Sequence, residues 1–207
     1  MKLQVAIDRV SLEQAKKVAA QLDPFVDIIE MGTSLIKDYG CNALKKEQLG
    51  IHHAELLLDT KTIDEGQYEF EKGYAANADI LTVMGAASLG TLETCYKVVE
   101  NYDKQMFIDL MELDANKTAQ IVGFDHAIYG IHHAKDSKSN FDAADSVAEF
   151  HSAYPSVKRI NVAGGIDLDQ ASKLKQQGIA ETVIVGSKIM KNDDPVAAAK
   201  KFMKVIK

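Results

Sequence analysis

The segment Ala54-Glu55-Leu56-Leu57-Leu58-Asp59-Thr60-Lys61-Thr62-Ile63-Asp64 joins a short apolar run to a group of charged side chains. The run Ala54–Leu58 predicts a buried strand. Side chains at positions i and i+2 of a strand share a face, so Asp59 and Lys61 should point together toward the inside of the fold. Burying a carboxylate and an ammonium is costly unless they pair or bind a ligand. The segment therefore predicts a strand that ends in a functional site.

The same unit of an apolar run followed by a helical pattern recurs along the chain about every 20–30 residues. The other runs that predict strands are Leu3–Ile7, Val26–Met31, Ile80–Met84, Met106–Leu110, Ala127–Ile131, Ile160–Ala163 and Thr182–Val185. Alternating strands and helices imply a parallel sheet, and eight such units are the number that closes a (β/α)8 TIM barrel. The alternative is an open doubly wound sheet, which often has a glycine-rich loop after its first strand. Ile7-Asp8-Arg9-Val10 contains no glycine, so we expect a barrel that forms one domain over residues 1–207.

Composition narrows the class of partner. The chain has 207 residues, with 24 Lys and Arg against 30 Asp and Glu, and a net charge of −6. This balance argues against nucleic acid or an anionic membrane as a general partner. Two cysteines, Cys41 and Cys95, are too few for a disulfide framework. The N-terminal stretch reaches Asp8 too early for a signal peptide, and no apolar run approaches the ~18–20 residues of a membrane span. We therefore expect a cytoplasmic protein.

Charged and small residues follow the predicted strands at one rim. In barrels of this kind, catalytic groups lie at the C-terminal ends of the strands. The residues found there are Asp8, Glu30, Asp59 with Lys61, Gly85, Asp109, His132, Gly164-Gly165 and Gly186-Ser187. A single acid at a strand end is usually a turn residue or a helix cap. A whole set on one rim favours function, whereas Lys2, Asp79, Gln105 and Glu181 at the opposite rim look like ordinary solvated residues.

The acid–lysine–acid spacing indicates the kind of chemistry. Lys61 is flanked in sequence by Asp59 and Asp64, whose charges should keep it protonated. A protonated lysine is a poor Schiff-base nucleophile but a good general acid or stabiliser of an oxyanion. Glu30 and Asp59 lie on neighbouring strands, and two carboxylates with open water positions suit Mg²⁺. Such an ion would stabilise an enediolate.

Glycines and a histidine complete the predicted site. Gly164-Gly165 and Gly186-Ser187 end the seventh and eighth predicted strands, where barrels frequently bind phosphate through loop amides. His132 follows the sixth strand and is the candidate proton donor or acceptor near neutral pH. For its neighbour His133, a functional and a structural role are equally open.

These residues resemble the orotidine-monophosphate decarboxylase superfamily, whose signature is Asp-x-Lys-x-x-Asp at the third strand. The segments Leu3–Asp8, Asp27–Thr33, Asp59–Asp64 and Val162–Ile166 are similar to the branch that holds 3-hexulose-6-phosphate synthase and 3-keto-L-gulonate-6-phosphate decarboxylase. The resemblance implies a barrel of the ribulose-phosphate-binding type and a phosphosugar substrate. It also implies a homodimer with shared active sites, to which Asp64 of each subunit contributes across the interface.

The resemblance further assigns roles to individual positions. It implies Mg²⁺ on Glu30 and Asp59, and a substrate contact from Asp8. It implies that the substrate phosphate is held by Gly164, Gly165, Gly186 and Ser187.

Three positions bear on the choice between the two activities. Asp109 and Gly186-Ser187 resemble the synthase. The loop that starts at His132 matches neither enzyme, and Lys135 stands where the decarboxylase carries an arginine that assists protonation. We expect a Mg²⁺-dependent aldehyde-lyase that joins ribulose 5-phosphate and formaldehyde through a 1,2-enediolate, with His132 handling the C1 proton. The alternatives are 3-keto-L-gulonate-6-phosphate decarboxylation and, because the His132–Asn140 loop is unusual, a barrel that binds phosphosugars without catalysis.

Overall fold

Eight parallel strands close into a barrel in the computed structural model, which describes residues 1–134, 136 and 142–207. Every strand pairs with its neighbours in chain order, and β8 pairs with β1. The strands are β1 (Lys2–Ile7), β2 (Ile28–Met31), β3 (Glu55–Thr62), β4 (Ile80–Met84), β5 (Gln105–Asp109), β6 (Ile128–His132), β7 (Ile160–Ala163) and β8 (Thr182–Val185). This topology confirms the predicted (β/α)8 barrel and excludes the open sheet.

Helices pack around the barrel, and several begin where the sequence marks a start. The Ser11 hydroxyl accepts from the Gln14 amide at the first helix, and the Ser88 hydroxyl caps the fourth in the same way. Pro195 occupies the first turn of the last helix, where its missing amide hydrogen costs nothing. The helices are α1 (Leu12–Leu22), α2 (Thr33–Tyr39), α3 (Gly66–Tyr74), α4 (Leu89–Tyr102), α5 (Ala115–Ile121), α6 (Ala143–Ala153), α7 (Leu168–Gln177), α8 (Ser187–Met190) and α9 (Pro195–Ile206). Within the described parts of the chain, no helix is long and apolar enough to cross a membrane.

Side chains that point into the barrel form stacked layers from alternate strands, as expected for this fold. An apolar cluster of Ile28, Leu57, Ile80, Phe107, Ile128 and Ile184 fills the middle layers. Gly130 on β6 makes room for the ring of Phe107, because a Cβ at this position would collide with it. The middle of the barrel is therefore a packed core.

The N-terminal end of the barrel is closed by a ring of polar contacts. Lys2 pairs with Glu55 at 3.5 Å and with Glu181 at 3.4 Å. Arg159 binds Glu181 through Nε at 2.9 Å and donates from Nη2 to Gln105 Oε1 at 2.8 Å. Gln105 Nε2 donates to Glu55 Oε1 and completes the ring. Lys2, Gln105 and Glu181, predicted to be ordinary solvated residues, instead belong to this ring, because strand closure brings opposite charges together.

The same correction applies to Asp79, at the start of β4. Its carboxylate pairs with Lys46 at 2.6 Å and Lys104 at 2.8 Å, and also accepts from the amide of Leu56. Asp79 thereby holds two connections against the barrel, the one between α2 and β3 that carries Lys46 and the one between α4 and β5 that carries Lys104.

Strand β3 runs four residues further than the predicted strand and carries Asp59 and Lys61 within it. Its pairing with β4 is irregular between Leu58 and Thr62, and Lys61 has a positive φ of 47°. Positive φ is unfavourable for a lysine and is kept only where surrounding contacts hold it. The irregular end of β3 is therefore a structural feature of the site that the apolar run did not predict.

Candidate active site

A cavity of about 360 Å³ opens at the C-terminal end of the barrel. Asp8, Glu30, Asp59, Lys61, Asp109, His132, Gly164, Gly165, Gly186 and Ser187 all line it. Most of the predicted site residues therefore meet in one place, as the C-terminal ends of parallel strands require.

Lys61 lies between two carboxylates in the wall of this cavity. Its Nζ is 3.1 Å from Asp59 Oδ2 and 3.1 Å from Asp109 Oδ2. Burial alone would lower the pKa of Lys61, but the charges and hydrogen bonds of Asp59 and Asp109 outweigh burial and raise it above its ordinary value. Lys61 is therefore a permanent ammonium in the resting site.

The identity of the second carboxylate corrects a prediction. The sequence placed Lys61 between Asp59 and Asp64, yet Asp64 is exposed and does not line the cavity. One Asp64 oxygen accepts from the backbone amide of Glu65 instead. The second carboxylate is Asp109, which β5 brings to Lys61 from 48 positions away in sequence.

Thr82 on β4 fixes both Asp59 and Lys61. Its hydroxyl donates to Asp59 Oδ1 at 2.8 Å and accepts from the Lys61 backbone amide at 2.9 Å. The second contact satisfies the amide that leaves the regular β ladder where Lys61 takes its positive φ. Thr33 donates to the other Asp59 oxygen at 2.6 Å, so the carboxylate is held from two sides.

Asp109 also holds His132. The distance from His132 Nδ1 to Asp109 Oδ2 is 2.8 Å, and the second Asp109 oxygen accepts from the Met111 amide. Burial tends to raise the pKa of Asp109, but the contacts with His132, Lys61 and Met111 lower it, so the group is a carboxylate. A carboxylate at Nδ1 favours the tautomer with the proton there and leaves Nε2 as the nitrogen for proton transfer.

Glu30 has a different electrostatic environment. It is 8% exposed, and Gln4 Nε2 donates to its Oε2 at 2.7 Å. Burial and the neighbouring charge of Asp59 raise the pKa of Glu30 to about 8. Among the described residues, no lysine, arginine or histidine forms an ion pair with Glu30.

The pair Glu30 and Asp59 fits a divalent cation on the chemistry of its donors. Two buried carboxylates that repel one another gain most from a cation between them, and Mg²⁺ takes one or two carboxylates plus waters and substrate oxygens. No cluster of three or more His, Cys, Asp or Glu side chains suited to a metal occurs among the residues described. A cation held by these two carboxylates would have further positions for waters and substrate oxygens.

Asp8 is held at the cavity wall by α2. Its Oδ1 accepts from the Ser34 hydroxyl at 2.7 Å, and the same hydroxyl accepts from the Arg9 amide at 2.8 Å. Gly32 precedes α2, and a Cβ there would collide with the Asp8 carboxylate. Asp8 can reach its position only because residue 32 lacks a side chain.

Glycines form the wall of the cavity at the ends of β7 and β8. Gly164 and Gly165 have φ values of 117° and 66°, which side chains rarely tolerate, and Gly186 precedes the short helix α8. A Cβ on Gly164 would lie 2.6 Å from His133 Cβ. Ser187 and Lys188 are exposed and line the same wall. Lys135, predicted to contact substrate, lies outside the described residues.

Several site residues were not anticipated from the sequence. Gln4 and Thr82 lie inside the predicted strands, where a polar residue between apolar neighbours was the available signal. Arg9 and Lys188 also line the cavity, as does His133, whose role the sequence left open. Arg9 and Lys188 are cations at the mouth, and only their position after a strand end could have indicated them.

Comparison with known proteins shows the family to which the chain belongs. The family model described as orotidine 5'-phosphate decarboxylase / HUMPS family matches residues 1–202. A 3-hexulose-6-phosphate synthase of Methylomonas aminofaciens is 31% identical over 198 residues, covering 95% of this chain and 94% of that protein.

Solved structures show the same likeness. A 3-hexulose-6-phosphate synthase from Salmonella typhimurium superposes with a TM-score of 0.90 at 29% identity, covering 100% of this chain and 98% of the other. A 3-keto-L-gulonate-6-phosphate decarboxylase from Vibrio cholerae has a TM-score of 0.84 at 23% identity, covering 99% and 96%. At that lower identity the likeness concerns the fold alone.

Proposed function

Because the chain belongs to the orotidine 5'-phosphate decarboxylase / HUMPS family, we propose that it is a Mg²⁺-dependent 3-hexulose-6-phosphate synthase. This enzyme is a carbon–carbon lyase of the aldehyde-lyase class. It joins ribulose 5-phosphate to formaldehyde and gives a hexulose 6-phosphate. The name that the 31%-identical relative carries supports the substrate assignment.

The observation that carries the proposal is the pair of contacts on Asp109. One carboxylate oxygen binds both the Lys61 ammonium at 3.1 Å and His132 Nδ1 at 2.8 Å. This arrangement places a fixed positive charge beside a group that can exchange a proton. Formation of an enediolate next to a carbonyl needs both.

The reaction then follows in balanced steps. His132 Nε2 takes the proton from C1 of ribulose 5-phosphate, and the electron pair of the C–H bond forms the 1,2-enediolate. Lys61 stabilises the negative charge that develops on the oxygens. C1 of the enediolate attacks the carbonyl carbon of formaldehyde and forms the new C–C bond. The proton that His132 holds passes to the former formaldehyde oxygen, which becomes a hydroxyl.

Glu30 and Asp59 would hold the magnesium ion. When bound, the ion would supply positive charge next to the two oxygens of the substrate that become the enediolate. Asp8, fixed by Ser34, would orient a hydroxyl of the sugar.

The glycine-lined wall at the ends of β7 and β8 would receive the phosphate. The backbone amides of Gly164, Gly165, Gly186 and Ser187 can approach it closely because three of the four positions lack side chains. The Lys188 side chain adds a positive charge at the same wall. A cavity of about 360 Å³ is at the lower end of the range for small-molecule sites and suits a five-carbon phosphosugar.

We further propose a homodimer in which Asp64 completes the partner's site. Ile63 and Tyr68, close to Asp64 in sequence, are 53% and 60% exposed, and exposed apolar side chains of this size are often found at protein interfaces. Mixing Lys61→Ala and Asp64→Asn proteins tests the arrangement. Heterodimers would contain one site with both changes and one with neither, so a randomised mixture should recover about a quarter of wild-type activity. Recovery of no activity would contradict the shared site.

The deciding experiment supplies each candidate substrate separately with Mg²⁺. Condensation of ribulose 5-phosphate with formaldehyde supports the synthase. Release of CO₂ from 3-keto-L-gulonate 6-phosphate without formaldehyde consumption would support the decarboxylase instead, which would make its enediolate by losing CO₂. The residue that motivated this alternative, Lys135, lies outside the described part of the chain.

A barrel that binds phosphosugars without catalysis is a third candidate. Exchange of the C1 hydrogen of ribulose 5-phosphate with deuterated water separates it from both enzymes. Exchange that disappears in Lys61→Ala, or with a chelator, excludes simple binding. No exchange in the wild-type protein would contradict catalysis through an enediolate.

A further inference from the structure

Three uncharged polar side chains lie inside the barrel below the active-site layer. Gln4 on β1, Asn161 on β7 and Thr182 on β8 are each 1% exposed. The other inward residues of these layers are apolar, among them Ile28, Leu57, Phe107 and Ile128. Polar groups in such surroundings need hydrogen-bond partners.

These three side chains have polar atoms without partners. Gln4 Oε1, Asn161 Nδ2, Asn161 Oδ1 and Thr182 Oγ1 are buried and make no hydrogen bond to any described residue. An unpaired buried donor or acceptor retains the full cost of losing its contact with water. Four such atoms in one part of a core call for a bound group that satisfies them.

Strand register brings the three residues around one region. Thr182 is paired in register with Asn161 on one side and with Lys2 on the other. Gln4 lies two residues beyond Lys2 on the same face of β1. Strands of a barrel are tilted, so residues paired in register lie at different heights along the barrel axis. Gln4 and Asn161 therefore lie on either side of β8 in the layer above Thr182, and all three side chains point into the barrel.

The donors and acceptors identify the bound group. Asn161 presents one donor and one acceptor whichever way its amide is turned, and the Thr182 hydroxyl can act as either. Gln4 Oε1 accepts. None of the three is charged, so the site offers no counter-charge to an ion, whereas water can donate and accept at the same time.

Gln4 links this region to the active site. Its Nε2 donates to Glu30 Oε2 at 2.7 Å, while its Oε1 is one of the buried atoms without a partner. An amide held at both ends keeps one orientation. We propose that a water molecule is bound inside the barrel by Gln4, Asn161 and Thr182, and that through Gln4 it positions the Glu30 carboxylate. The water site stands independently of the proposed function, whereas the positioning role rests on the proposed metal site.

A crystal structure at a resolution that shows ordered waters tests the water site directly. The expected result is a density peak within about 3.2 Å of at least two of the three side chains. Thr182→Ser keeps the hydroxyl and should keep the peak, and Thr182→Val removes the hydroxyl at equal size and should weaken or lose it. Direct hydrogen bonds among the three side chains, with no peak, would overturn the water site.

Titration with Mn²⁺, followed by its paramagnetic resonance signal, tests the positioning role. Thr182→Val removes an indirect support of the metal ligand Glu30, so it should weaken Mn²⁺ binding about threefold to tenfold. Thr182→Ser keeps the hydroxyl and should bind Mn²⁺ with the affinity of the wild type. Ile80→Val is the matched control, since it removes one methyl group from the same layer on another wall and should bind Mn²⁺ like the wild type. Equal affinity in Thr182→Val and wild type, or equal weakening in Ile80→Val, overturns the role. A wild-type protein that binds no Mn²⁺ overturns the metal site and the positioning role together, and the electron density then decides the water site alone.

Discussion

Replacing Glu30 by glutamine should stabilise the metal-free protein while it abolishes the metal site. Burial and the charge of Asp59 raise the pKa of Glu30 from its ordinary 4.5 to about 8. The unfolded chain ionises this carboxyl at pH 7, whereas the folded chain largely holds it protonated. Folding therefore requires proton uptake, and the stability of the folded state falls as pH rises from 4.5 to 8.

The size of the effect follows from the same two values. Each unit of pH above the ordinary pKa costs about 1.4 kcal/mol until the raised pKa is reached. At pH 7 the folded protein should lose on the order of 3 kcal/mol relative to a chain whose residue 30 does not titrate. Glutamine has nearly the same shape as protonated glutamic acid, and its carbonyl can still accept from Gln4. Glu30→Gln should therefore raise the free energy of unfolding by nearly nothing at pH 4.5 and by on the order of 3 kcal/mol at pH 7. Above pH 8 this increase should stay constant.

Urea unfolding in the presence of a chelator at pH 5, 7 and 9 measures this gain. Glu13→Gln is the matched control, since Glu13 is exposed on α1 and its substitution should change stability little at any pH. Added Mg²⁺ should stabilise the wild-type protein by mass action and leave Glu30→Gln unchanged. A gain that does not grow with pH, or that Glu13→Gln reproduces, would refute the reasoning about Glu30.

Three further predictions concern single contacts. Thr82→Val should lower kcat at least tenfold and the free energy of unfolding by about 1–3 kcal/mol, because it removes a hydrogen bond to Asp59 and leaves the Lys61 backbone amide without an acceptor. Thr82→Ser keeps the hydroxyl and should restore both values in kinetic and unfolding assays. Asp109→Asn should lower kcat by about a thousandfold with the fold intact by circular dichroism, since the amide no longer favours the His132 tautomer; a loss below threefold would contradict the proton-transfer role. Asp23→Asn should cost on the order of 2 kcal/mol at pH 7 and nothing near pH 2. Burial alone would raise the pKa of Asp23, but three backbone amides and an imidazole lower it to about 2. The carboxylate therefore stabilises the fold above pH 4, and this stabilisation is lost as pH falls through 2. Equal urea midpoints of Asp23→Asn and wild type at pH 7 would disprove the prediction.

The parts of the fold that could be predicted are those that local pattern determines. The strands at 80–84, 160–163 and 182–185 have the predicted bounds, because each is an apolar run with a polar or small residue after it. The predicted third strand ends too early, because the apolar pattern stops at the first acid, whereas the observed strand continues to Thr62. Its last residues form a strand only because Thr82, on the neighbouring strand, holds the amide of Lys61.

The partners of the site residues depend on barrel closure, which a local pattern does not contain. After Asp59, Asp64 is the acid nearest to Lys61 in sequence, but the second carboxylate that contacts Lys61 is Asp109, which the register of β4 and β5 places beside it. The closed ring at the other end of the barrel was missed for the same reason, since Lys2 meets Glu181 only once β8 pairs with β1. Residue types at strand ends thus predict which side chains reach the site, and strand register decides which of them touch.

The contacts of Lys61 also bear on which kind of aldol chemistry this barrel can perform. A Schiff-base lysine must lose its proton before it attacks a carbonyl, and enzymes that use one lower its pKa by burial or by a neighbouring cation. Here two carboxylates at 3.1 Å do the opposite and raise it. Deprotonating Lys61 would leave the Asp59 and Asp109 charges uncompensated in a buried site, so the arrangement opposes covalent attack at every step. What it favours is a fixed ammonium that meets negative charge as it develops on substrate oxygen, next to the His132 nitrogen that moves the proton. The strain at Lys61, whose φ is 47°, is consistent with this role, because a charge that stabilises an oxyanion must be held in place before the charge appears.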